Sequence, residues 1–307
     1  MAQDDTTLDL FGEAPPMSRT MRRVVDHSVA IQERKPDRAD FQHTVLCQVG
    51  MPRRSTTERT FERTSGAVSV RLEAGSLYTG AGFIDQPLPY GTRPRLVMVH
   101  ISSEAVRTQK REIEVGDSIR HFMKILGLDP GGREHNYFKR QMEALAACRM
   151  QIGMTFNGRA VTINTNPIRK FDAWLNPTGS QRVLWPGTLE LSEEFFETLN
   201  QHAVPLDHRA LSALKHSALA LDVYTWLAHR LCRVTPVAGL KVSWDSLRDQ
   251  FGQEYSDPKN FKKEFRQVLR QVCAVYPDAR LEDASGGLKL LPSPPPLPKV
   301  QVVVAKR

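Results

Sequence analysis

The spacing of apolar residues divides the chain into stretches of helical period and stretches of two-residue period. Between 67 and 82, Val68, Val70 and Leu72 alternate with polar neighbours, which predicts a strand. Pro94 opens a segment to 107 whose Val97–Ile101 core is compatible with a strand. Its length and proline start favour a helix, with Val97, Ile101 and Ala105 on one face. From 115 to 127, Val115, Ile119, Phe122, Met123 and Leu126 fall at helical spacing, and Gly127 suits a helix stop. A Gly131-Gly132 break leads to a helix over 134–149 with Phe138, Met142 and Leu145 inward. Ile152, Met154 and Phe156 then alternate, Asn157-Gly158 turns, and Val161 and Ile163 alternate back. Asn-Gly between two alternating runs is a strong hairpin signal.

A strand over 183–191 and a helix over 192–199, capped by Ser192 with acids in its first turn, lead into the most apolar stretch, 205–233. Its second part, from Ser217, carries Leu219, Leu221, Val223, Tyr224, Trp226, Leu227 and Leu231. They go round nearly the whole circumference of a helix, which predicts a buried one. Asp222 and Arg230 are charges inside this run and need partners or the surface; Arg230, four residues after Trp226, is placed to stack on the indole. A short helix follows over 242–252, capped by Ser243 and stopped by Gly252, with Trp244, Leu247 and Phe251 inward. Next come a long helix over 257–273 and a hairpin of 279–283 with 288–291.

Each set therefore reads helix, short helix, long helix, hairpin, the order of a winged helix, which is a helix-turn-helix variant. Two local echoes support duplication. Asp117-Ser118-Ile119-Arg120 resembles Asp245-Ser246-Leu247-Arg248, and Phe138, Met142 and Leu145 match Phe261, Phe265 and Val268 in spacing. The expected fold class is α+β: tandem winged-helix domains, pseudo-duplicated. The expected organisation is a disordered segment over 1–40, a first domain over 41–175, a second over 176–292 and a Pro-rich flexible tail over 293–307. Within 1–40, a short basic helix through Arg19, Arg22 and Arg23 is the alternative to disorder.

Composition adds a partner class. The net charge is +8, which points to a polyanion, nucleic acid first. The four cysteines are scattered with no C-x-x-C pair, which favours a reducing compartment and argues against zinc and disulfides. No apolar run approaches the length of a membrane span, and a cytoplasmic protein is expected.

The long third helix of each set is where a winged helix reads DNA. In the second, Phe261, Phe265, Val268 and Val272 face inward, while Lys259, Lys262, Lys263, Arg266 and Arg270 face outward and Asn260 lies near the start. In the first, the candidates are Asn136, Lys139, Arg140 and Gln141. Arg and Lys read guanine edges or hold phosphates, and Asn and Gln read adenine. Arg159 and Lys289, in or beside the hairpins, and Arg169-Lys170 are placed to meet phosphates. On one isolated helix such charges are ordinary solvated ones; two such helices at the same place in a repeated unit favour DNA. No P-loop, no H-E-x-x-H and no pair of histidines two residues apart occurs, so neither enzymatic activity nor a cofactor or metal is expected.

The segments Pro89 to Gly91, Pro94 to Leu96, Glu104-Ala105, and Gly116 to Ser118 with Phe122-Met123 and Leu126-Gly127 resemble the plasmid-encoded RepA replication initiators. So do Pro205 to Asp207, Leu221 to Leu227 with Arg230, and Ser243-Trp244 ahead of Phe251-Gly252. The resemblance spans roughly 65–292 and rests on the number and order of motifs, none of them catalytic. It implies a theta-type initiator of two winged-helix domains that binds repeated sites in double-stranded plasmid origin DNA and helps open the origin. It also implies recruitment of host initiation proteins and the replicative helicase, and repression of its own promoter as a homodimer. A tandem winged-helix transcriptional regulator without initiator role is the alternative; a metal-dependent nicking enzyme is a distant third.

Overall fold

The computed structural model describes residues 19–78, 80–156, 158–171, 187–252 and 254–297. Expectations for 1–18, 172–186 and the tail from 298, and for Asn157 in the first hairpin turn, lie outside the described residues.

The first half of the chain forms α1 (Arg19–Glu33), β1 (Ala39–His43), α2 (Thr44–Gln48), β2 (Thr60–Ser65), β3 (Val68–Glu73), β4 (Ser76–Tyr78), β5 (Phe83–Asp85) and α3 (Thr92–Thr108). It continues with β6 (Glu112–Glu114), α4 (Ile119–Ile125), α5 (Gly132–Ala147), β7 (Arg149–Phe156), β8 (Arg159–Thr165) and β9 (Lys170–Phe171). The second comprises β10 (Thr188–Glu190), α6 (Glu193–His202), β11 (Ala203–Asp207), α7 (His208–Leu214), α8 (Ala218–Arg230) and a 3-10 turn over Leu231–Arg233. After these come β12 (Leu240–Ser243), α9 (Trp244–Phe251), α10 (Pro258–Val275), β13 (Leu281–Ala284) and β14 (Gly287–Leu290). This is a mixed α+β architecture of helices and small antiparallel sheets, as expected.

The helix ends follow the local chemistry. Ser118, Ser192, Ser217 and Ser243 each accept a hydrogen bond from the backbone N–H three residues on, at 3.1, 3.3, 3.2 and 3.1 Å, satisfying donors a helix start leaves open. Asp257 caps α10 by accepting from the Lys259 N–H, two residues on, at 2.8 Å, with Pro258 in the first turn. Gly127 ends the α4 region at φ 65°, where a side chain would be strained.

Several expectations need correction. Disorder over 1–40 fails where the chain is described: α1 is a helix with Val24 buried, packed on α7 and α10, and β1 pairs with β11. An apolar face at helical spacing outweighed the polar composition. The strand over 67–82 breaks after Glu73 into β3 and β4, and at Gly75 between them a Cβ would stand 2.2 Å from the Ala147 carbonyl oxygen, so only glycine fits there. The apolar stretch from 205 is no single element: its first residues form β11 and its buried helix starts at Ala218. Trp226 meets Phe251 edge-on at 5.3 Å, an aromatic partner in place of the Arg230 stack.

The hairpins differ in their company. β13 and β14 join β12 in a three-stranded sheet ordered β12-β14-β13, closed within the second half. β7 and β8 lie at the end of a four-stranded sheet ordered β2-β3-β7-β8, while β6 pairs with β10. The echo 117–120 with 245–248 is not the structural correspondence, since the caps are Ser118 and Ser243, three residues out of that register. Aligned on the caps, Phe122 matches Leu247, Leu126 matches Phe251 and Gly127 matches Gly252, a repeat of helix and stop together.

Three arginines of the first half meet two acids of the second. Arg95 on α3 makes a bidentate pair with Asp222 on α8, at 2.7 and 2.8 Å. Its remaining donors go to the carbonyls of Met51, Pro52 and Gly91, so all five guanidinium N–H groups are used. Arg53 lies 3.7 Å from Asp222 and also binds Glu254, which Arg63 reaches at 3.1 Å. Burial raises the Glu254 pKa and the two arginines more than offset it, leaving the carboxyl below its usual value. Gly50 is required here: a Cβ on it would stand 2.5 Å from the Asp222 carboxylate.

Candidate nucleic-acid interface

In α10, Phe261, Phe265, Val268, Leu269 and Val272 are buried, so the helix presents its other side to solvent. Lys259, Lys263, Arg266 and Arg270 follow one another at intervals of four, three and four residues, which stacks them on one helical stripe about 16 Å long. Lys259, Asn260, Lys262 and Lys263 are exposed, and Arg266 and Arg270 half-buried.

Arg266 is held in place. Its guanidinium donates to Asp283 on β13 at 2.8 Å and lies 5.5 Å from the Trp244 ring, whose other cationic neighbour is Lys262 at 5.0 Å. Trp244, expected inward, is half-buried: its edge-on contact with Phe265 at 6.1 Å joins it to the core and the cations cover it. The indole thus positions two cations between α10 and the hairpin. On the opposite flank, Asn260, Lys263 and Gln267 line a groove with Thr20 of α1 and with His216 and Ser217 of the α7–α8 corner. Glu264 also lines it, accepting a hydrogen bond from Tyr255, whose hydroxyl burial and this bond push up to about 12.

In α5, Asn136 and Arg140 are exposed and Lys139 is half-buried, 3.7 Å from Glu143 one turn on. Gln141 is a correction: it is 3% exposed and accepts a hydrogen bond from Tyr90 N at 2.7 Å, so it supports the loop before α3 and faces no solvent. It lies nearer the inward positions of Phe138 and Leu145 than the outward ones, a fact the helical period already contains. Arg133, in the first turn of the same helix, is a further exposed cation outside the expected set.

At the hairpins, Arg159 is exposed at the start of β8. Lys289 pairs with Glu282 directly across the strands at 3.2 Å, so it has an acid partner of its own, while Lys241, its neighbour on β12, is exposed. Arg169 lies 3.4 Å from Glu190. The structure brings Lys259, Asn260, Lys262, Lys263, Arg266 and Arg270 together on α10, beside the β12–β14 sheet, and Asn136, Lys139 and Arg140 on α5. Among the described residues, no cluster of three or more histidines, cysteines or acids is arranged to hold a metal, and no helix is long and apolar enough to cross a membrane.

These features define a basic α+β protein that presents a cationic helix beside a small sheet. A family model described as plasmid-encoded RepA protein matches residues 88–246, more than half of the chain, and the chain belongs to that family. The match runs from the loop before α3 into α9 and stops short of α10. No curated protein matches in sequence. Among solved structures, the chain is similar to crystal structures of domains 2 and 3 of RctB. One is 11% identical at a TM-score of 0.49, covering 80% of this chain and 98% of that one. Another is 10% identical at 0.48, covering 86% and 100%.

Proposed function

We propose that the protein is a plasmid replication initiator that binds double-stranded origin DNA through two winged-helix units, one within 41–175 and one within 176–292. The observation that carries this reading is the unbroken cationic stripe of α10, flanked by the Trp244-held cations, in a member of the RepA family. The first unit is α3, α4 and α5 with the β7–β8 hairpin; the second is α8, α9 and α10 with the β12-β14-β13 sheet. In each, the third helix enters the major groove and the hairpin lies along the backbone. Arg266 or a neighbouring side chain reads base edges, while Lys259, Lys263 and Arg270 neutralise phosphates. Opening of the origin, recruitment of host initiation proteins and helicase, and self-repression as a homodimer belong to the same reading, as does a place in the cytoplasm on the plasmid.

Footprinting across the plasmid's own origin tests it. Protection of repeated sites is expected, with affinity falling steeply with salt because several phosphates are neutralised at once. Loss of plasmid maintenance when the protein is withheld in trans separates an initiator from a pure regulator; maintenance without it sinks the initiator reading. The reading has no place for catalysis, so the purified protein neither nicks supercoiled origin DNA nor hydrolyses nucleotides.

A further inference from the structure

Helix α1 takes no part in the winged-helix order, yet it is built into the DNA-facing side of the molecule. It packs on α7 and α10 through Val24, which is fully buried, and Ser28. Thr20 in its first turn shares a groove with the α7–α8 corner and with Asn260 and Lys263 of α10. Arg23, one turn on from Thr20, is exposed and lies close enough to Lys215 of the corner to act on its charge. From the corner itself Lys215 reaches across to the first half and donates to the Gly127 carbonyl, at the turn between α4 and α5. A half-buried cation therefore stands between the two candidate reading helices, with α1 alongside.

Resting on the DNA-binding reading above, we propose that α1 and the α7–α8 corner form a third contact to the DNA backbone, in which Arg23 and Lys215, with Lys263 on the facing wall, hold phosphate between the two winged-helix units. The electrostatics agree with the geometry. Burial lowers the Lys215 pKa, and Arg93 and Arg23 lower it further; both charged neighbours acting on it are cations. Like charges from three elements converge there, and an anion relieves their repulsion. Glu264, the acid in the groove wall, is already engaged by the Tyr255 hydroxyl. Arg93 is paired with Glu134, whereas among the described residues neither Arg23 nor Lys215, which donates only to the neutral Gly127 carbonyl, is paired with a carboxylate.

The test is a salt series of binding titrations on origin duplex and on an unrelated duplex of equal length. It compares the parent, the Arg23→Ala/Lys215→Ala double variant and the charge-keeping Arg23→Lys/Lys215→Arg double variant. The alanine pair should weaken both duplexes by a similar factor, leave their ratio unchanged, and flatten the log–log salt slope by about 0.9 per phosphate lost, near 2 in all. The charge-keeping pair should retain the parent's slope. A parent that binds origin DNA with a slope the alanine pair does not change overturns the third contact and leaves the two-unit reading standing. Equal losses in both double variants overturn it as well, because packing and not charge would be the cause. A parent that binds neither duplex overturns both proposals.

Discussion

The two halves use the same order of helices to different ends. In the second, β12, β13 and β14 close a sheet of their own, and α10 is left with one face for the core and one for solvent. In the first, the β7–β8 hairpin is absorbed into a larger sheet with β2 and β3, and α5 turns Gln141 inward to hold the loop ahead of α3. Charge follows the same division. The α10 stripe is all cationic, whereas Glu143 sits among the outward residues of α5 and pairs with Lys139. The first half also supplies the arginines, Arg53, Arg63 and Arg95, that grip the acids of the second. On the reading proposed above, the first half is mainly scaffold and the second mainly surface for a polyanion.

If the halves are welded through that charge cluster, removing one acid has the largest effect. Asp222→Ala leaves Arg95 buried with two of its five donors unsatisfied and removes the neighbour of Arg53. Breaking a buried pair from one side costs about 3–5 kcal/mol. Chemical denaturation should show that loss in a single transition. A loss below ~1 kcal/mol, or two separated transitions in the parent, would mean the halves stand independently.

The second joint is β1 with β11, and it contains a pH-sensitive group. His43 is 1% exposed, stacks on Phe195 at 5.4 Å and caps α2 by accepting from Val45 N through Nδ1 at 3.2 Å. Burial first, then His202, lowers its pKa to about 4. A base whose folded pKa is depressed binds fewer protons folded than unfolded between that value and about 6.5. Stability is therefore complete above about pH 6.5 and falls by about 1.4 kcal/mol per unit as pH drops towards 4. His43→Asn keeps a cap acceptor and removes this share of the slope. Identical slopes for parent and variant between pH 7 and 5 would assign the acid sensitivity elsewhere; His100 and His229, both also lowered to about 4 by burial, are the next candidates.

Arg266 tests the surface role of the second half. Arg266→Ala should weaken origin binding by roughly 1–3 kcal/mol with relaxed preference at one base position. Its pair with Asp283 is half-exposed, so the stability cost stays within about 1 kcal/mol. A variant that binds origin DNA like its parent would remove Arg266 from the reading.

Local periodicity reached the elements whose contacts are local. The helices at 93–107 and 257–273, the caps Ser192 and Ser243 and both hairpins are visible because caps and apolar spacing act within a few residues, whereas the Ser118 cap lies inside the helix expected over 115–127. Pairings across the chain were not: β1 with β11 and β6 with β10 depend on residues separated in sequence, and their short strands carry little alternation. Asp222 inside an apolar run needs a partner, but that the partner is Arg95 follows only from the packing of α3 on α8. Both residues lie in segments that carried the resemblance to RepA initiators, so those motifs mark how the halves join. The α10 residues, outside the family match, were found by helical period alone. Gln141 has the residue type of a base reader but the helical angle of a core position, and the angle decides its place.

The finest prediction sets one lysine of each half against the other. Lys259 is exposed on the α10 stripe, and among the described residues no carboxylate lies within salt-bridge distance of it. Lys139 occupies an outward position on α5 but lies 3.7 Å from Glu143. Counterion release counts the net charge brought to the phosphates, so a lysine already neutralised by its neighbour adds little to it. Lys259→Ala should lower the salt slope of origin binding by about 0.9, and Lys139→Ala should leave it nearly unchanged. Lys259 is exposed and half-buried Lys139 gives up only an i,i+4 surface pair, so alanine should shift stability by less than about 0.5 kcal/mol at either site. Glu143→Gln then provides the converse: with the acid gone, Lys139 becomes available and the parent slope should steepen. Equal slope changes for the two lysine variants would show that α5 meets the backbone as fully as α10, and the division of labour between the halves would have to be given up.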